Sequence, residues 1–594
     1  RAITNRRINV DLWRGEDLAG RMGVTMSDLI LRGGTVVDGT GRPGQAADVL
    51  IQDGVIAEIG SLSGRRADRQ IDAEGHVVSP GFIDVHTHMD AQIAWDPLGE
   101  SSCFHGVTTA VMGNCGFTLA PVRSHERHLV VRNLERAEDI SADAMAAGID
   151  WSWETYPEYL DFVDRTPKGI NYAGYVGHSA LRTWAMGARA FEEEANESDL
   201  RAMVGQLRES IEAGAMGFTT SISVNHATSD DRPVASRMAG WSEIEALVAE
   251  MGRLGAGIFE LANHHHLRSR DPIKREAYIS RLVDLAVRTG VPVTYGMLAT
   301  GQEDNGWKPV VELLDRINDG GGRSWAQVHT RYFGVLLSFA TRLPFDALPV
   351  WDELRTRPLD EQKAALADPT TRSRLVEEAV HGDYGRSIGA ETRKPEWEHI
   401  YPMEHSALPP FSSIADLASQ RDQAPMEVFI DVALKHDLDV FFVQAAANQD
   451  QNVVLELMRH PYAIPTFSDS GAHVTQIMDS SLQSHMLGHW VRNQGAFSLE
   501  EAVHRMTQVP ARAWGFNNRG VLAEGKAADI NVFDPETVGP NLPELVHDLP
   551  AGAPRLRQTA TGFRATIVNG EVLVEDGETT GLTPGNLLRG PLAR

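Results

Sequence analysis

Apolar and polar positions follow two different periods along this chain of 594 residues. Short apolar runs, bounded by glycine and other turn-forming residues, predict eight buried strands. They lie at 78–86, 107–113, 171–177, 215–222, 256–261, 291–297, 325–329 and 464–468. Apolar residues three or four positions apart predict helices at 198–213, 241–254, 274–289 and 498–507. Strands that alternate with helices favour an α/β fold, and eight such repeats favour a (β/α)8 TIM barrel.

The two ends of the chain carry a different pattern, in which short alternating runs are separated by Asp-Gly and Asn-Gly turns. These runs lie at 29–37 and 48–59 near the start and at 529–533 and 564–574 near the end. Such alternation is typical of half-buried strands. Neither set has enough apolar residues to fold alone, so we expect both ends to pair into one small β-sandwich.

One stretch, 335–435, interrupts the rhythm after the seventh strand and is rich in proline and charged residues. We expect an insertion that acts as a lid or substrate cap, with helices at 413–419 and 426–435 and a strand near 441–443. The predicted organisation is an N-terminal extension (1–25), the first half of the sandwich (26–77), barrel strands one to seven (78–334), the insertion (335–435), the end of the barrel with strand eight (436–514), and the second half of the sandwich with a C-terminal tail (515–594).

Composition narrows the class of protein. The chain is 42% hydrophobic, which allows a large core, and its formal net charge is −26. A surface this acidic excludes nucleic acid and anionic membranes as expected partners. No run of about 18 apolar residues is present. With only two cysteines in the chain, we expect a reducing, cytoplasmic location. The oligomeric state is open, a homo-oligomer included.

Candidate metal ligands stand at the ends of predicted strands. His86 and His88 end the first strand, and residues two positions apart in a strand point to the same face. Two imidazoles so placed provide half of a divalent metal site. Cys115 follows the second strand between glycines, and its thiolate would be a strong zinc ligand. The alternative for Cys115 is a buried structural cysteine, which is the interpretation given to Cys103.

Asp469 follows the eighth strand, at the end where it can meet His86 and His88 in the centre of a barrel. A carboxylate there can bind the metal, accept a proton from the attacking water and later deliver it to a leaving nitrogen. The alternative for Asp469 is a capping residue for the next helix.

These residues resemble the metal-dependent amidohydrolase superfamily, and within it the D-aminoacylase (N-acyl-D-amino-acid deacylase) family. The matching motifs are Pro-Gly-Phe-Ile-Asp-Val-His-Thr-His at 80–88, Gly-Asn-Cys-Gly at 113–116, Gly-His-Ser-Ala-Leu-Arg at 177–182, Ser-Asp at 468–469, and Arg-Gly-Val-Leu and Gly-Lys-Ala-Ala-Asp within 519–529. The resemblance covers about 27–300 and 435–580. It implies zinc as the cofactor, His86, His88, Cys115 and Asp469 as ligands, Asp469 as the general acid and base, and His178 as a catalytic residue. For His178 the alternative is a histidine hydrogen-bonded within a loop.

The sequence departs from the family at strands five and six, where the family has one histidine each for a second metal position. Strand five offers Glu260 instead, and strand six offers Met297, a poor ligand for such an ion. Three solutions are open: Glu260 as an oxygen ligand, one of the histidines at 264–266, or a single metal ion. We favour one zinc ion over two.

The seventh strand ends in His329 and Arg331, which share one face. His329 is a candidate catalytic residue that could polarise a carbonyl or hold an oxyanion. Arg331 could bind a substrate carboxylate in a bidentate manner. Tyr332 and Tyr295 are the other candidate substrate-binding residues. The alternative for His329 and Arg331 is an internal salt bridge or a brace for the loop.

The sequence therefore predicts a metal-dependent hydrolase that acts on a C–N bond other than a peptide bond. The expected substrate is a small-molecule amide, an N-acyl (D-)amino acid or a related compound. A hydrolase of cyclic amides, such as hydantoin-like or lactam rings, is the alternative within the superfamily. The alternative from another class is a non-catalytic ligand-binding relative.

Overall fold

The computed structural model describes residues 28–262, 266–300, 306–385 and 393–593. The predicted N-terminal extension, 1–25, lies outside the described residues, as do two of the three histidines at 264–266. The described chain begins with five strands: β1 (Leu29–Val36), β2 (Gln45–Gln52), β3 (Val55–Gly60), β4 (Arg69–Asp72) and β5 (Val77–Pro80).

The next part of the chain alternates between strands and helices. The strands are β6 (Phe82–Asp84), β7 (Val107–Met112), β8 (Asn171–Gly174), β9 (Val176–Gly177), β10 (Gly217–Ser221), β11 (Ile258–Ala262), β12 (Val293–Met297) and β13 (Ser324–Val328). The helices are α1 (Arg127–Leu134), α2 (Ala142–Gly148), α3 (Tyr156–Arg165), α4 (His178–Met186), α5 (Glu197–Ala213), α6 (Trp241–Leu254), α7 (Pro272–Thr289) and α8 (Lys308–Asp319). Leu247, Leu282 and Leu313 place the apolar faces of α6, α7 and α8 in the main core.

The segment after β13 has a small sheet and a buried core of its own. Its elements are β14 (Phe333–Leu337), α9 (Pro349–Arg355), α10 (Leu359–Ala367), α11 (Pro369–His381), β15 (Ile400–Pro402), α12 (Ile414–Arg421), α13 (Pro425–Lys435) and β16 (Phe442–Ala447). Strand β16 pairs antiparallel with β14 and β15. Trp351 and Phe429 lie in the core of this segment. Both helices predicted here are present, and Ser413 caps α12 by accepting a hydrogen bond from the N–H of Asp416.

The chain then returns to the parallel strands and ends in the first sheet. The elements are α14 (Gln451–Arg459), β17 (Ala463–Pro465), α15 (Leu482–His485), a π-helical segment (Met486–Asn493), α16 (Leu499–Met506), α17 (Gln508–Trp514), β18 (Ile530–Phe533), β19 (Gly539–Pro540), β20 (Glu544–Val546), β21 (Arg555–Arg557), β22 (Ala560–Thr561), β23 (Phe563–Val568), β24 (Glu571–Glu575) and β25 (Glu578–Thr579). Within the described ranges, no helix has both the length and the apolar character needed to cross a membrane.

Two sets of pairings organise the fold, which is of mixed α/β type. Strands from both chain ends share one sheet in the order β25-β24-β23-β18-β5-β1-β2-β3, with β4 beside β1. The parallel strands form the orders β6-β7-β8 and β9-β10-β11-β12-β13-β17. Beyond β6 and β17, Thr87 and Ser470 form a parallel bridge, and the N–H of Val85 donates to Thr466 Oγ1. The carboxyl ends of the parallel strands therefore meet at one edge, where loops gather their side chains.

The first predicted strand, 78–86, is corrected to two strands that belong to different sheets. Strand β5 pairs with β1 and β18, whereas β6 pairs with β7. Gly81 lies between the two strands. A larger residue would not fit there, because a Cβ would lie 2.1 Å from Thr108 Oγ1. The two histidines expected at the end of this strand therefore lie in the loop beyond β6. The other predicted strands coincide with observed ones to within a few residues.

Candidate metal centre

Two histidines reach the centre from the segment that follows β6. His86 and His88 are both buried, and their ring centroids lie 5.5 Å apart. The bridge from Thr87 to Ser470 holds the backbone between them. The Nδ1 atom of His86 is hydrogen-bonded to Gln327 Oε1 of β13 at 2.5 Å, which leaves Nε2 to face the centre. A partner on the far ring nitrogen fixes the orientation and tautomer of a histidine at metal sites.

Cys115 enters from a tight turn, Asn114–Gly116, directly after β7. Its backbone is left-handed, with φ 56°, and Gly113 before the turn is left-handed as well. This conformation costs a non-glycine residue on the order of 1–3 kcal/mol and persists only where the surroundings impose it. The N–H of Cys115 donates to Glu260 Oε2 at 2.8 Å. The turn places Sγ 3.4 Å from Nε2 of His86.

Asp469 lies beyond β17 and also has a left-handed backbone, with φ 50°. Its Oδ1 is 3.1 Å from Nε2 of His86 and 3.4 Å from Nε2 of His88. Burial alone would raise the pKa of this carboxyl group, but hydrogen bonds and charges from the two histidines hold the pKa well below its ordinary value. The carboxylate is therefore ionised and can accept a proton.

The separations among these four side chains fit one zinc ion. Zinc binds nitrogen at ~2.0 Å and thiolate sulfur at ~2.3 Å, so the ligand atoms of a tetrahedral site lie roughly 3.3–3.5 Å apart. The contacts from His86 to Cys115 and Asp469 and from His88 to Asp469 are 3.4, 3.1 and 3.4 Å. The two histidines and the cysteine also present ligand atoms within 4.8 Å of one another. Two imidazoles, a thiol and a carboxylate form a donor set that suits zinc.

Glu260 of β11 borders the same centre. It is 0% exposed, and its Oε1 has no hydrogen-bond partner, while Oε2 accepts from Cys115. Burial raises the pKa of this carboxyl group to about 7, although the charge of His86 acts in the opposite direction. Met297 of β12 is fully buried, and its thioether does not offer an oxygen or nitrogen ligand. A ligand role for Glu260 stays a prediction.

Two polar residues of this centre, Gln327 and Glu138, were not predicted from the sequence. The position of Gln327 does carry a signal, because it stands two positions before His329 and shares its face. Glu138 carries no such signal, since it lies in an irregular segment between α1 and α2 and belongs to no motif. Its Oε2 is 3.7 Å from Nε2 of His88.

His329 directly follows β13 and is buried. Neither ring nitrogen has a hydrogen-bond partner, and Nδ1 is 3.9 Å from Asp479 Oδ2. Burial lowers the pKa of the imidazole, which is therefore neutral with one free N–H. The ring of Phe467 packs against His329 and His86, with centroid distances of 4.9 and 4.1 Å. Gly296 makes room for it, because a Cβ there would lie 2.3 Å from the ring.

The predicted substrate-binding residues of strand seven are engaged within the chain. Arg331 donates from Nε and Nη2 to Asp479 Oδ1 at 2.9 and 2.5 Å, and Nη2 also donates to the carbonyl of Met478. This contact is the internal salt bridge that the sequence left open as the alternative. Tyr332 is buried and stacks on Tyr401, with a centroid distance of 6.1 Å.

Tyr295 is directed away from the centre. Its neighbour Thr294 pairs in register with Glu260, so these two side chains share the inner face of the strands. Tyr295 therefore faces the helices, because successive residues of a strand point to opposite faces. Its hydroxyl donates to the carbonyl of Val310 in α8 at 3.1 Å. The structure does not bring Tyr295 to the site, which corrects the expected substrate contact.

His178 belongs to a separate group, here called the Glu243 cluster (His178, Arg182, Thr220 and Glu243). Its Nδ1 is bonded to Thr220 Oγ1 and its Nε2 to Glu243 Oε1, both at 2.7 Å. Arg182 forms an ion pair with the same carboxylate. Both ring nitrogens are therefore occupied, which favours the alternative of a histidine hydrogen-bonded within the fold over a catalytic role.

A small cavity opens beside Asp469. Its lining includes serine hydroxyls and charged groups, among them Ser468, Ser470, Ser480, Glu100 and Arg555. Arg555 is held by Asp96 at 2.8 Å and lies 3.5 Å from Glu100. Polar and charged groups therefore line the space next to the candidate metal ligands.

Comparisons with known proteins identify the family of the chain and several relatives. The sequence profile of the amidohydrolase family matches residues 69–574. The chain is 26% identical to a D-aminoacylase of Alcaligenes xylosoxydans xylosoxydans, over 94% of this chain and 97% of that protein, and 28% identical to an N-acyl-D-glutamate deacylase of the same organism, over 86% and 88%. A solved N-acyl-D-glutamate deacylase of Bordetella bronchiseptica, complexed with zinc and a phosphonate inhibitor, superposes with a TM-score of 0.60 at 25% identity and covers 95% of this chain and 99% of that one. The resemblance identified from the motifs is confirmed.

Proposed function

The chain belongs to the amidohydrolase family, and from that premise we propose that it is a zinc-dependent hydrolase of N-acyl (D-)amino acids. The bond it cleaves is an amide C–N bond outside a peptide. One observation carries the proposal, which is that four side chains from three separate loops converge at the spacing of zinc ligands. They are His86, His88, Cys115 and Asp469. The two deacylases of Alcaligenes support the substrate class.

The proposal includes the finer architecture, a (β/α)8 TIM barrel with a small β-sandwich from both chain ends and a lid after strand seven. Support for closure of the barrel comes from β9, which follows β8 after one residue, and from the Thr87–Ser470 bridge between the first and last strands. Support for a lid comes from the insertion, 335–435, where Met403 packs in one cluster with Met478 and Leu556 of the cavity wall.

In this mechanism Asp469 moves the proton. His86, His88, Cys115 and Asp469 would hold the zinc ion, which would supply a water of lowered pKa and polarise the amide carbonyl. Asp469 is ionised in the structure, so its carboxylate accepts the proton of the attacking water. The same carboxyl group then protonates the departing nitrogen, which completes cleavage of the C–N bond.

His329 is the proposed second catalytic residue. Its imidazole is neutral and has a free N–H, so it can donate to the carbonyl oxygen as negative charge develops there. Arg331 is not assigned to the substrate carboxylate, because Asp479 already binds its guanidinium group. We propose one zinc ion at the four-residue site, with Glu260 as the candidate for any further oxygen ligand.

The test is metal analysis and turnover on the same purified protein. We expect about one equivalent of zinc per chain and hydrolysis of at least one acyclic N-acyl-D-amino acid from a panel with different side chains. The panel includes the L-enantiomers and cyclic amides. Activity confined to hydantoins or lactams would transfer the assignment to a cyclic-amide hydrolase. A zinc-loaded protein without activity on any amide would contradict the proposal and favour a ligand-binding relative. The cytoplasmic location stays a prediction from the cysteine content.

A further inference from the structure

We infer that Glu138 is an additional ligand of the metal ion, supplied by the segment between α1 and α2. The inference rests on the proposed function, because it concerns the same zinc ion. It places a carboxylate from outside the parallel strands in the centre. No motif of the chain indicates this residue, and strands five and six leave room for a further ligand.

Glu138 is buried beside His88, a position that supports a role as a metal ligand. The residue is 1% exposed, and its Oε2 lies 3.7 Å from Nε2 of His88. A hydrogen bond between nitrogen and oxygen is about 2.7–3.2 Å long, so this contact is too long to be one. Two ligands of one ion, each ~2.0–2.2 Å from it, reach this separation at an angle of roughly 130°, which a five-coordinate zinc ion accepts.

The backbone around Glu138 is fastened to the loop that carries Asp469. The carbonyl of Glu138 accepts a hydrogen bond from the N–H of His473 at 2.5 Å. The next side chain, Asp139, accepts from Thr475 Oγ1 at 2.7 Å. These contacts fix the segment on both sides of the glutamate, so its carboxylate is presented to His88 rather than to solvent.

The charge balance of the centre is the second argument. The carboxylates of Asp469, Glu260 and Glu138 lie with the thiol of Cys115 in a buried space, and Oε1 of Glu260 has no hydrogen-bond partner. Within the described residues, no lysine or arginine forms an ion pair with any of these carboxylates. Acidic groups this close together can all be ionised only if a cation compensates their charge, because the interior solvates negative charge poorly. A divalent ion that Glu138 also binds would provide this compensation.

The test compares Glu138→Gln with the neighbouring control Asp139→Asn. Glutamine keeps the shape of Glu138 but removes its charge, and asparagine tolerates the left-handed backbone of Asp139, at φ 50°. The full-length variants are stripped of metal and titrated with zinc against a competing chelator. We expect Glu138→Gln to bind zinc at least ten times more weakly, in the ~10–100-fold range found for residues that support metal sites. Asp139→Asn keeps a side-chain oxygen that can accept from Thr475, so it should match the wild type.

Two further measurements test whether Glu138 binds the ion. The rise in melting temperature on adding zinc should be smaller in Glu138→Gln than in wild type. A crystal structure of the zinc-loaded wild-type chain should place a Glu138 oxygen within bonding distance of the ion, and this measurement stands even if the variant does not fold. Unchanged zinc affinity, or a Glu138 carboxylate outside the coordination sphere, would overturn the inference and leave the proposed function intact. A wild-type chain that binds no zinc would instead defeat the proposed function.

Discussion

The metal centre and the Glu243 cluster are both buried groups of charged and polar side chains built around histidines. In the Glu243 cluster each ring nitrogen of His178 has a partner, and Glu243 is held by Arg182 as well. In the metal centre, Oε1 of Glu260 and Nδ1 of His88 have no hydrogen-bond partner. Both ring nitrogens of His178 and both carboxylate oxygens of Glu243 therefore have partners within the chain, whereas the candidate metal centre keeps buried ligand atoms that a cation could bind.

The pKa values of Glu243 and Glu260 quantify the contrast between the two groups. Burial raises the pKa of both carboxyl groups, but His178 and Arg182 outweigh it at Glu243 and lower that pKa to about 2. At Glu260 the burial effect dominates, and the pKa rises to about 7. The two pKa values shift in opposite directions because Glu243 accepts a hydrogen bond from His178 and forms an ion pair with Arg182, whereas among the described residues Glu260 has no ion pair with a lysine or arginine. The carboxylate of Glu243 is therefore neutralised within the fold and that of Glu260 is not, which distinguishes a structural ion pair from a candidate metal centre.

The largest expected effect separates the two regions by activity. Asp469→Asn should lower turnover by about 10³-fold or more, because the amide accepts no proton and binds metal weakly. Turnover is measured with saturating zinc and compared with Glu243→Gln, corrected for the folded fraction. Unimpaired turnover in Asp469→Asn would remove the acid–base role, and an equal loss in Glu243→Gln would erase the contrast between the regions.

Removing zinc should lower the free energy of unfolding. Substitutions in the candidate metal centre should change the size of this effect, and those in the Glu243 cluster should not. Zinc binds the folded centre, so free zinc at 1,000 times its dissociation constant should stabilise the fold by about 4 kcal/mol. Chemical unfolding with and without a chelator measures the difference. Glu243→Gln should keep the full zinc-dependent increment, whereas Cys115→Ala should lose most of it. A chelator-insensitive wild type would contradict this prediction.

The Glu243 cluster should affect stability rather than chemistry. Glu243→Gln leaves Arg182 buried without its counter-charge, so we expect the free energy of unfolding to fall by about 3 kcal/mol. Denaturant titration gives this value, and zinc affinity should be unchanged. A variant as stable as wild type, but with weakened zinc binding, would place the cluster in the functional site.

Glu100 is an intermediate case with the smallest expected effect. Burial, followed by the charge of Asp96, raises its pKa to about 7, although Arg555 lies 3.5 Å away. A raised carboxyl pKa means that the folded state binds the proton more tightly, so stability falls as pH rises from about 4.5 to about 7. Glu100→Gln should remove this fall and be more stable than wild type at pH 8, by on the order of 1–2 kcal/mol.

Unfolding at pH 5 and pH 8 measures the effect. The two proteins should differ little at the lower pH, where the glutamate is largely protonated in the folded state. A variant that is less stable than wild type at pH 8 would show that the attraction between Glu100 and Arg555 outweighs burial.

The sequence predicted the elements well and the site in part. Apolar runs locate strands because burial on both faces requires them, and the motif around His86 and His88 indicated the centre. Pairing partners across long distances were out of reach, since nothing in the spacing links His178 to Glu243, 65 positions away. The pairing register of β11 and β12 was also not predictable from the sequence, so the sequence did not show that Tyr295 faces the helices. Glu138 could not be found because it stands in an irregular segment.

The chain from 77 to 88 crosses from the terminal sheet into the parallel strands without a linker. Strand β5 is hydrogen-bonded to β18, a strand that the chain reaches only about 450 residues later. Strand β6 begins two residues after β5 ends. A truncated protein that keeps only the parallel strands would lack β18, the partner of β5. The backbone just before His86 and His88 would then lose the hydrogen bonds that hold it in place. The strands of the terminal sheet are therefore part of the scaffold that positions the candidate metal ligands, and engineered fusions should extend the chain rather than shorten it.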